Sequence, residues 1–181
     1  MSQAINLDRI RYRVSQFWSA LRNTPPDKGD LELVRSILSD TQLDLFNLMQ
    51  NSEKVHALRV IQTLLDSGES HPDLLTAALL HDVGKIVHPL RLWERVFIVL
   101  GKRFLPKLSM KWSRGHPRSW TRPFVLENEH PGWGAELAQK AGASPLAVTL
   151  IRDHQNELIS NDVGALERNI LITLQKADNQ N

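Results

Sequence analysis

Residues 70–85 read SHPDLLTAALLHDVGK, an apolar stretch that ends in a histidine and an aspartate. Its apolar residues recur at the spacing of a helix, Pro72 suits the first helical turn, and Gly84 suits the exit. Adjacent side chains on a helix point about 100° apart, so His81 and Asp82 can turn toward one ion only where the helix loosens at its end. The stretch therefore predicts a helix that delivers an imidazole and a carboxylate to one place.

The rest of the chain shows the same helical period and no convincing strand, which predicts an all-α fold, an irregular helical bundle. Asp30 and Ser52 are the expected N-caps, Gly68 is an expected helix stop, and Pro131 and Pro145 are expected to open helices. The further predicted helices cover roughly residues 5–23, 30–38, 43–49, 52–68, 91–99, 104–112, 131–142, 144–155 and 163–178, with a loop over 113–123.

The length of 181 residues fits one domain with an appendage. We expect an N-terminal helical extension over residues 1–40 that packs on a core domain over residues 41–181. Asp8 and three arginines interrupt the first 14 residues, which is unlike a signal peptide, and no stretch approaches the ~18 apolar residues of a membrane span. These features predict a cytoplasmic protein.

Residues 86–123 form a basic insert with nine Lys/Arg and one acid, whereas the rest of the chain has 22 − 9 = 13 basic and 20 − 1 = 19 acidic residues. This asymmetry predicts an anionic partner. The favoured interpretation of residues 92–108 is an amphipathic segment that packs on the bundle, with Lys102, Arg103 and Lys107 in water. A lid over an anionic substrate is the second interpretation. Attachment to nucleic acid or to an anionic membrane surface is possible but not favoured.

The chain has no cysteine, so a disulfide partner, a thiolate metal site and a cysteine nucleophile are excluded, and any metal must be held by nitrogen and oxygen. Seven histidines are present, and those at positions 71, 88 and 116 are not expected to be ligands. The other four lie in or at the ends of predicted helices, as does the last aspartate. These candidate ligands are His56, His81, Asp82, His130, His154 and Asp178.

The order of these six residues resembles the H…HD…H…H…D pattern of the two-metal branches of the HD-domain superfamily of metal-dependent phosphohydrolases. The segments VHALRV, HDVGK, NEHPGWGAEL and AVTLIRDHQ resemble the family's motifs around its ligands, over residues 41–178. By this resemblance, one or two divalent ions (Mn, Fe, Zn, Co, Ni or Mg) are expected. The resemblance assigns His56, His81, Asp82 and Asp178 to the first ion, and Asp82, His130 and His154 to the second.

The resemblance implies a hydrolase that cleaves a phosphate ester of a nucleotide or small phosphorylated metabolite through metal-activated water. Asp82 and Lys85 are the expected catalytic residues. Lys85 and Arg59 are expected to contact the phosphate, as are His88 and Arg91. The chain lacks the double histidine and the Gly-Tyr-Pro of the branch that hydrolyses cyclic di-GMP, which argues against that substrate.

Two other functions remain open. The same ligand pattern resembles that of inositol oxygenase and its relatives, which use a mixed-valent pair of iron ions. A non-catalytic signalling or binding module that keeps the metal for structure is the third possibility. Glu53, Glu127 and Glu129 are candidates for orienting the ligand histidines, and the sequence does not choose among them.

Overall fold

The computed structural model describes residues 25–156 and 164–181, so the helix predicted over residues 5–23 lies outside the described part. The described residues form α-helices and one short 3₁₀ helix with no strand, which confirms the predicted all-α fold. The helices are α1 (Lys28–Ile37), α2 (Asp40–Leu48), α3 (Asn51–Asp66), α4 (Pro72–Leu80), the 3₁₀ helix (Val83–Ile86), α5 (Leu92–Phe104), α6 (Pro106–Trp112), α7 (Arg122–Lys140), α8 (Pro145–Asp153) and α9 (Ala165–Gln180). No helix of the described chain is both long enough and apolar enough to span a bilayer.

Helix α4 is the centre of the bundle and packs against α3, α8 and α9. Every residue from Leu74 to Leu80 is buried, as expected for a helix that is apolar all round. Burying each leucine contributes about 2 kcal/mol of transfer free energy, so these neighbours fix the position of the C-terminal end of α4. Helix α1 joins the same core through Val34 and Leu38. The division at residue 40 stays a prediction.

Two predicted N-caps are wrong by a few residues. Helix α1 begins at Lys28 because Asp27 is the cap, and Asp30 is the reciprocal partner in a capping box. The Asp27 carboxylate accepts from Asp30 N at 2.9 Å, and Asp30 accepts from Asp27 N at 3.0 Å. Helix α3 likewise begins at Asn51, and Ser52 lies in its first turn with its hydroxyl 3.3 Å from Glu53 Oε2.

The two glycines near α4 have different roles. Gly68 has φ +84° and ends α3 as predicted, because only a glycine adopts this conformation without strain. Gly84 is not the exit of α4, which already ends at Leu80, and this prediction is wrong. It lies in the 3₁₀ helix, where an added Cβ would lie 2.6 Å from Gly134 N. The same Cβ would come still closer to the carbonyl oxygen of His130. Gly84 therefore allows the 3₁₀ helix to touch the backbone of α7.

Pro131 does not open a helix, in contrast to the prediction, because α7 begins at Arg122 and continues through it. The loop predicted over residues 113–123 is correspondingly shorter. A proline inside a helix removes one backbone N–H and thereby frees the carbonyl four residues earlier. Here that carbonyl belongs to Glu127. Pro145 does lie in the first turn of α8, where Ser144 is the N-cap.

The basic insert forms α5 and α6, which pack against α7. Helix α5 is longer than the prediction and extends to Phe104. Its inner face brings Phe97 to Phe124, with ring centroids 5.1 Å apart, and Ile98 is buried on the same face. The expectation that Lys102 would simply face water is incomplete, because it donates to Glu127 Oε1 at 2.7 Å.

Candidate metal centre

All six candidate ligands converge on one buried cluster. They come from different elements: His56 from α3, His81 and Asp82 from the end of α4, His130 from α7, His154 from the end of α8, and Asp178 from α9. The long stretches of chain between them meet because the apolar faces of these helices share the core around α4.

The first group surrounds Asp178 and His81. His56 Nε2 donates to Asp178 Oδ1 at 2.8 Å. His81 Nε2 lies 3.7 Å from Asp178 Oδ1 and 3.7 Å from Asp82 Oδ2. Ligand atoms of His56, His81 and Asp82 all lie within 4.8 Å of one another, which is a separation that one ion can bridge.

The second group surrounds the other oxygen of Asp82. His130 Nε2 lies 3.2 Å from Asp82 Oδ1, and the His154 ring centroid lies 5.3 Å from that of His130. Ligand atoms of these three residues also lie within 4.8 Å of one another. Asp82 belongs to both groups, so its two oxygens can be shared between two neighbouring ions.

Among the described residues, three imidazole nitrogens of this cluster are buried and have no hydrogen-bond partner. They are the Nε2 atoms of His81, His130 and His154, three side chains that are almost fully buried. A buried polar atom without a partner is costly in a folded protein, and three of them around one carboxylate need a common explanation. A divalent cation fits, since imidazole and carboxylate are its usual ligands in proteins that lack thiolates.

A protein-family model for the HD domain matches residues 55–179, from one residue before His56 to one residue after Asp178. The chain belongs to the HD domain family. No curated protein and no solved structure matches the chain significantly. HD domains bind divalent metals and are commonly metal-dependent phosphohydrolases, and the ligand cluster of this chain agrees with that assignment.

The Nδ1 atoms of the three buried histidines all donate to a backbone carbonyl three residues earlier. His81 donates to Ala78 O at 3.0 Å, His130 to Glu127 O at 2.8 Å, and His154 to Ile151 O at 2.8 Å. A proton on Nδ1 leaves Nε2 as the bare nitrogen of a neutral imidazole. These bonds therefore set both the tautomer and the direction of the metal-binding atom.

These three carbonyls are available for different reasons. Ala78 and Ile151 lie in the last turns of α4 and α8, where carbonyls have no helical donor. Glu127 lies in the middle of α7, but Pro131 has no N–H to offer it. The sequence suggested carboxylates for this orienting role. The Glu127 carboxylate stays 4.0 Å from His130 Nδ1, Glu53 is buried against Arg95, and Glu129 is exposed.

Burial keeps the imidazoles of His81 and His154 neutral, whereas neighbouring cations and hydrogen-bond donors keep the carboxylates charged. It lowers the pKa of His81 and lowers that of His154 to about 3. Burial alone would raise the pKa of Asp82, but the charge of Lys85 holds it well below its ordinary value. For Asp178, burial is outweighed by the His56 hydrogen bond, which lowers its pKa to about 2. The cluster thus offers neutral nitrogens and anionic oxygens at neutral pH, the protonation states that bind a cation.

The structure brings Lys85 to the edge of the cluster, as predicted. Its ammonium lies 2.8 Å from the Asp82 carboxylate, and its side chain is 20% exposed. Burial would lower the pKa of Lys85, but Asp82 and Glu127 raise it above its ordinary value. Glu127 in turn has a pKa lowered to about 2, because Lys85 and Lys102 outweigh its burial. Positive and negative side chains thus alternate from α5 to the candidate metal centre, in the order Lys102, Glu127, Lys85 and Asp82. The sequence did not predict this series.

The other predicted substrate-binding residues are more exposed than the buried ligands of the cluster. Arg59 is half-buried on α3, one turn after His56. His88 is exposed, with its ring centroid 5.2 Å from that of Trp133. Arg91 is exposed at the start of α5, where its backbone N–H donates to Glu94. Contact between these side chains and a substrate remains a prediction.

Proposed function

We propose that this HD domain is a phosphohydrolase that cleaves a phosphate ester of a nucleotide or a small phosphorylated metabolite. The observation that carries the proposal is the set of three buried, unpartnered Nε2 atoms around the Asp82 carboxylate. His56, His81, Asp82 and Asp178 would hold one ion, and Asp82, His130 and His154 a second. Bound divalent ions supply a Lewis acid and lower the pKa of water to near neutrality, the chemistry that phosphate-ester hydrolysis needs.

Lys85 supports the proposal as the cation next to the metal ligands. Its ammonium donates a hydrogen bond to the Asp82 carboxylate and lies in the electrostatic field of Glu127. The Lys85 side chain is partly exposed, so its remaining N–H groups could donate to a phosphate oxygen bound beside Asp82. Lys85 therefore acts as a positive charge that is already in place when charge develops on phosphate.

The substrate is anionic in this proposal, and Arg59, His88 and Arg91 are candidates for binding its remaining groups. Arg59 is best placed by its helix, because residues three apart lie on the same side. A guanidinium binds a phosphate through two parallel hydrogen bonds, which suits a nucleotide or sugar phosphate. We expect the protein to act in the cytoplasm, where such metabolites occur.

The test is phosphate release by protein stripped of metal and reloaded separately with Mn²⁺, Co²⁺, Ni²⁺, Mg²⁺, Zn²⁺ or Fe²⁺. Generic phosphomonoesters, phosphodiesters and nucleotides serve as substrates. We expect Asp82→Ala to abolish turnover and Lys85→Met to reduce it by about 10²-fold, the typical cost of losing one preorganised charge. Asp44→Ala removes an exposed aspartate of α2 and is the matched control.

Three outcomes would contradict the proposal. Turnover that survives Asp82→Ala would show that the chemistry occurs elsewhere. Absence of phosphate release with every metal, from protein that is demonstrably loaded, would favour the binding module. Oxygen consumption that requires bound iron would favour the oxygenase.

A further inference from the structure

Exposed apolar side chains concentrate in the basic insert. In the described residues, twelve large hydrophobic side chains are exposed, and ten of them lie between positions 87 and 120. Single exposed hydrophobic residues are ordinary, whereas a concentration of this kind indicates a binding surface. The ten are Val87, Leu92, Trp93, Val99, Leu100, Phe104, Leu105, Leu108, Met110 and Trp120.

On α5 these residues form one continuous side of the helix. Leu92, Val99, Leu100 and Phe104 are spaced by seven, one and four residues, so they share a face. The opposite face carries the buried residues, among them Ile98. Helix α5 is therefore apolar on both sides, and the described part of the chain covers one of them.

The exposed side chains of the insert that carry an unpaired charge all have the same sign. Six basic side chains of the insert are exposed and make no ion pair in the described part of the chain: Arg91, Arg103, Lys107, Lys111, Arg114 and Arg118. The single acid of the insert, Glu94, is buried and paired with Arg122. Arg103 lies within the apolar stripe, with its guanidinium 6.0 Å from the centre of the Phe104 ring.

We infer that the exposed residues of α5 and α6, called the α5–α6 face below, dock this protein on an anionic phospholipid surface. Aliphatic and aromatic side chains mixed with Lys and Arg are the composition of helices that lie in the bilayer interface. Anionic lipid headgroups match the six unpaired cations. With 13 residues, α5 is too short to cross a bilayer, so it lies in the plane of the membrane.

The alternatives fit this face less well. A second copy of the chain would bring the cations of this face, Arg103, Lys107 and Lys111, against their own copies, which opposes association. Single-stranded nucleic acid would match the charge and the tryptophans, but it offers nothing to Val99, Leu100, Leu108 or Met110. A bilayer accepts the cations and the aliphatic groups together.

The experiment measures cosedimentation of the full chain with vesicles. One set contains phosphatidylcholine alone and the other contains equal parts of phosphatidylcholine and phosphatidylglycerol. We expect binding to the anionic vesicles, at least about tenfold weaker binding to the neutral ones, and a loss of affinity as salt is raised. Lipids brominated in the acyl chain should quench tryptophan fluorescence, because apolar side chains enter the interface.

Two sets of variants separate the apolar and the charge contributions. Val99→Gln, Leu100→Gln and Phe104→Gln combined should weaken binding at least tenfold, because part of the transfer free energy of three apolar side chains is lost. Leu48→Gln with Leu166→Gln is the matched control, since both leucines are exposed outside the insert.

The charge variant combines Arg103→Gln, Lys107→Gln and Lys111→Gln. It should weaken binding about a hundredfold at low salt. Its control removes three exposed cations elsewhere, Arg35, Lys140 and Arg152, and should bind nearly as the unmodified chain does.

Four results would overturn the inference. The first is no binding to anionic vesicles at low salt, and the second is binding to neutral vesicles as strong as to anionic ones. The third is that the variants of the α5–α6 face bind anionic vesicles as strongly as their controls do. The fourth is that the protein binds an oligonucleotide while brominated lipid does not quench its tryptophan fluorescence. A dimer in light scattering that Leu100→Gln converts to monomer, without vesicle binding, would instead assign the face to a second copy.

Discussion

At the scale of single residues, burial of the candidate ligand histidines makes the stability of the metal-free protein depend on pH. His154 is almost fully buried and its pKa is lowered to about 3, because its surroundings do not solvate a charge. The ordinary value of a histidine is about 6.5. Between these two values the unfolded chain binds a proton at this position and the native chain does not.

The free energy of unfolding of the metal-free protein should therefore fall as pH falls from about 6.5 toward 3. The direction follows because the unfolded chain binds more protons than the native chain in this range. Between pH about 6.5 and 5 the loss from His154 alone is roughly 2 kcal/mol. His154→Gln should flatten this dependence, whereas the exposed His88→Gln should leave it unchanged. Urea unfolding in chelator at several pH values measures both. Parallel curves for His154→Gln and the unmodified chain would contradict the expectation.

The sequence predicted which residues are candidate ligands, and the structure brings them together, but the sequence did not predict their orientation. The histidines and aspartates stand in a fixed order along the chain, and the structure brings all of them together. The atoms that orient them are backbone carbonyls of Ala78, Glu127 and Ile151. Every residue has such a carbonyl, and those of Ala78 and Ile151 are free because α4 and α8 end there, whereas Pro131 marks the free carbonyl of Glu127.

At the scale of elements, Pro131 removes one hydrogen bond from α7 and thereby leaves the carbonyl of Glu127 free to orient His130. Pro131→Ala would restore an N–H that competes with His130 Nδ1 for Glu127 O. We expect the affinity of the second ion to fall about 10- to 100-fold, the usual effect of losing an orienting bond, while the free energy of unfolding without metal stays equal or rises. Titration calorimetry and chemical unfolding measure the two quantities.

The control for this variant is Pro145→Ala, because Pro145 lies in a first helical turn and frees no carbonyl near a ligand. It should leave metal affinity unchanged. If Pro131→Ala bound metal as tightly as Pro145→Ala, the role assigned to the proline would be wrong.

Contact between the 3₁₀ helix and α7 gives a second prediction at this scale. Gly84→Ala would place a methyl group against the backbone of His130 and Gly134, which cannot move aside as a flexible side chain would. We expect a loss of at least ~2 kcal/mol in the free energy of unfolding. Chemical denaturation of the metal-free protein measures it.

Gly132→Ala is the matched control, since Gly132 lies in α7 with no heavy atom within 4 Å of an added Cβ. That change should stabilise the helix by up to about 1 kcal/mol. Equal stability of the two variants would show that α7 and the 3₁₀ helix can separate without cost.

Element boundaries were predicted less well than element types, and for local reasons. Asp27 and Asp30 are both good caps three residues apart, and only their reciprocal hydrogen bonds decide which one caps α1. Pro131 looked like a helix start because proline favours first turns, but packing of α7 on the 3₁₀ helix and α8 carries the helix through it. In both places two alternatives were locally acceptable; the local capping bonds decide at Asp27, and tertiary packing decides at Pro131.

At the scale of the whole molecule, the ligand cluster joins α3, α4, α7, α8 and α9 at one point. The contact between His56 and Asp178 alone closes a loop of more than a hundred residues. Ions bound there favour the folded state over the unfolded one, since no preformed site exists in the unfolded chain. The predicted bundle was correct at this scale because the helical period and the ligand order pointed to the same arrangement.

The most direct test of the central claim is element-resolved metal analysis of protein purified without oxygen. Two groups of ligands that share Asp82 predict about two divalent ions per chain. Asp82→Ala should lose both, His154→Gln should lose one, and Asp44→Ala should keep both. Asp82→Ala protein that retains the full metal content of the unmodified chain would contradict the account.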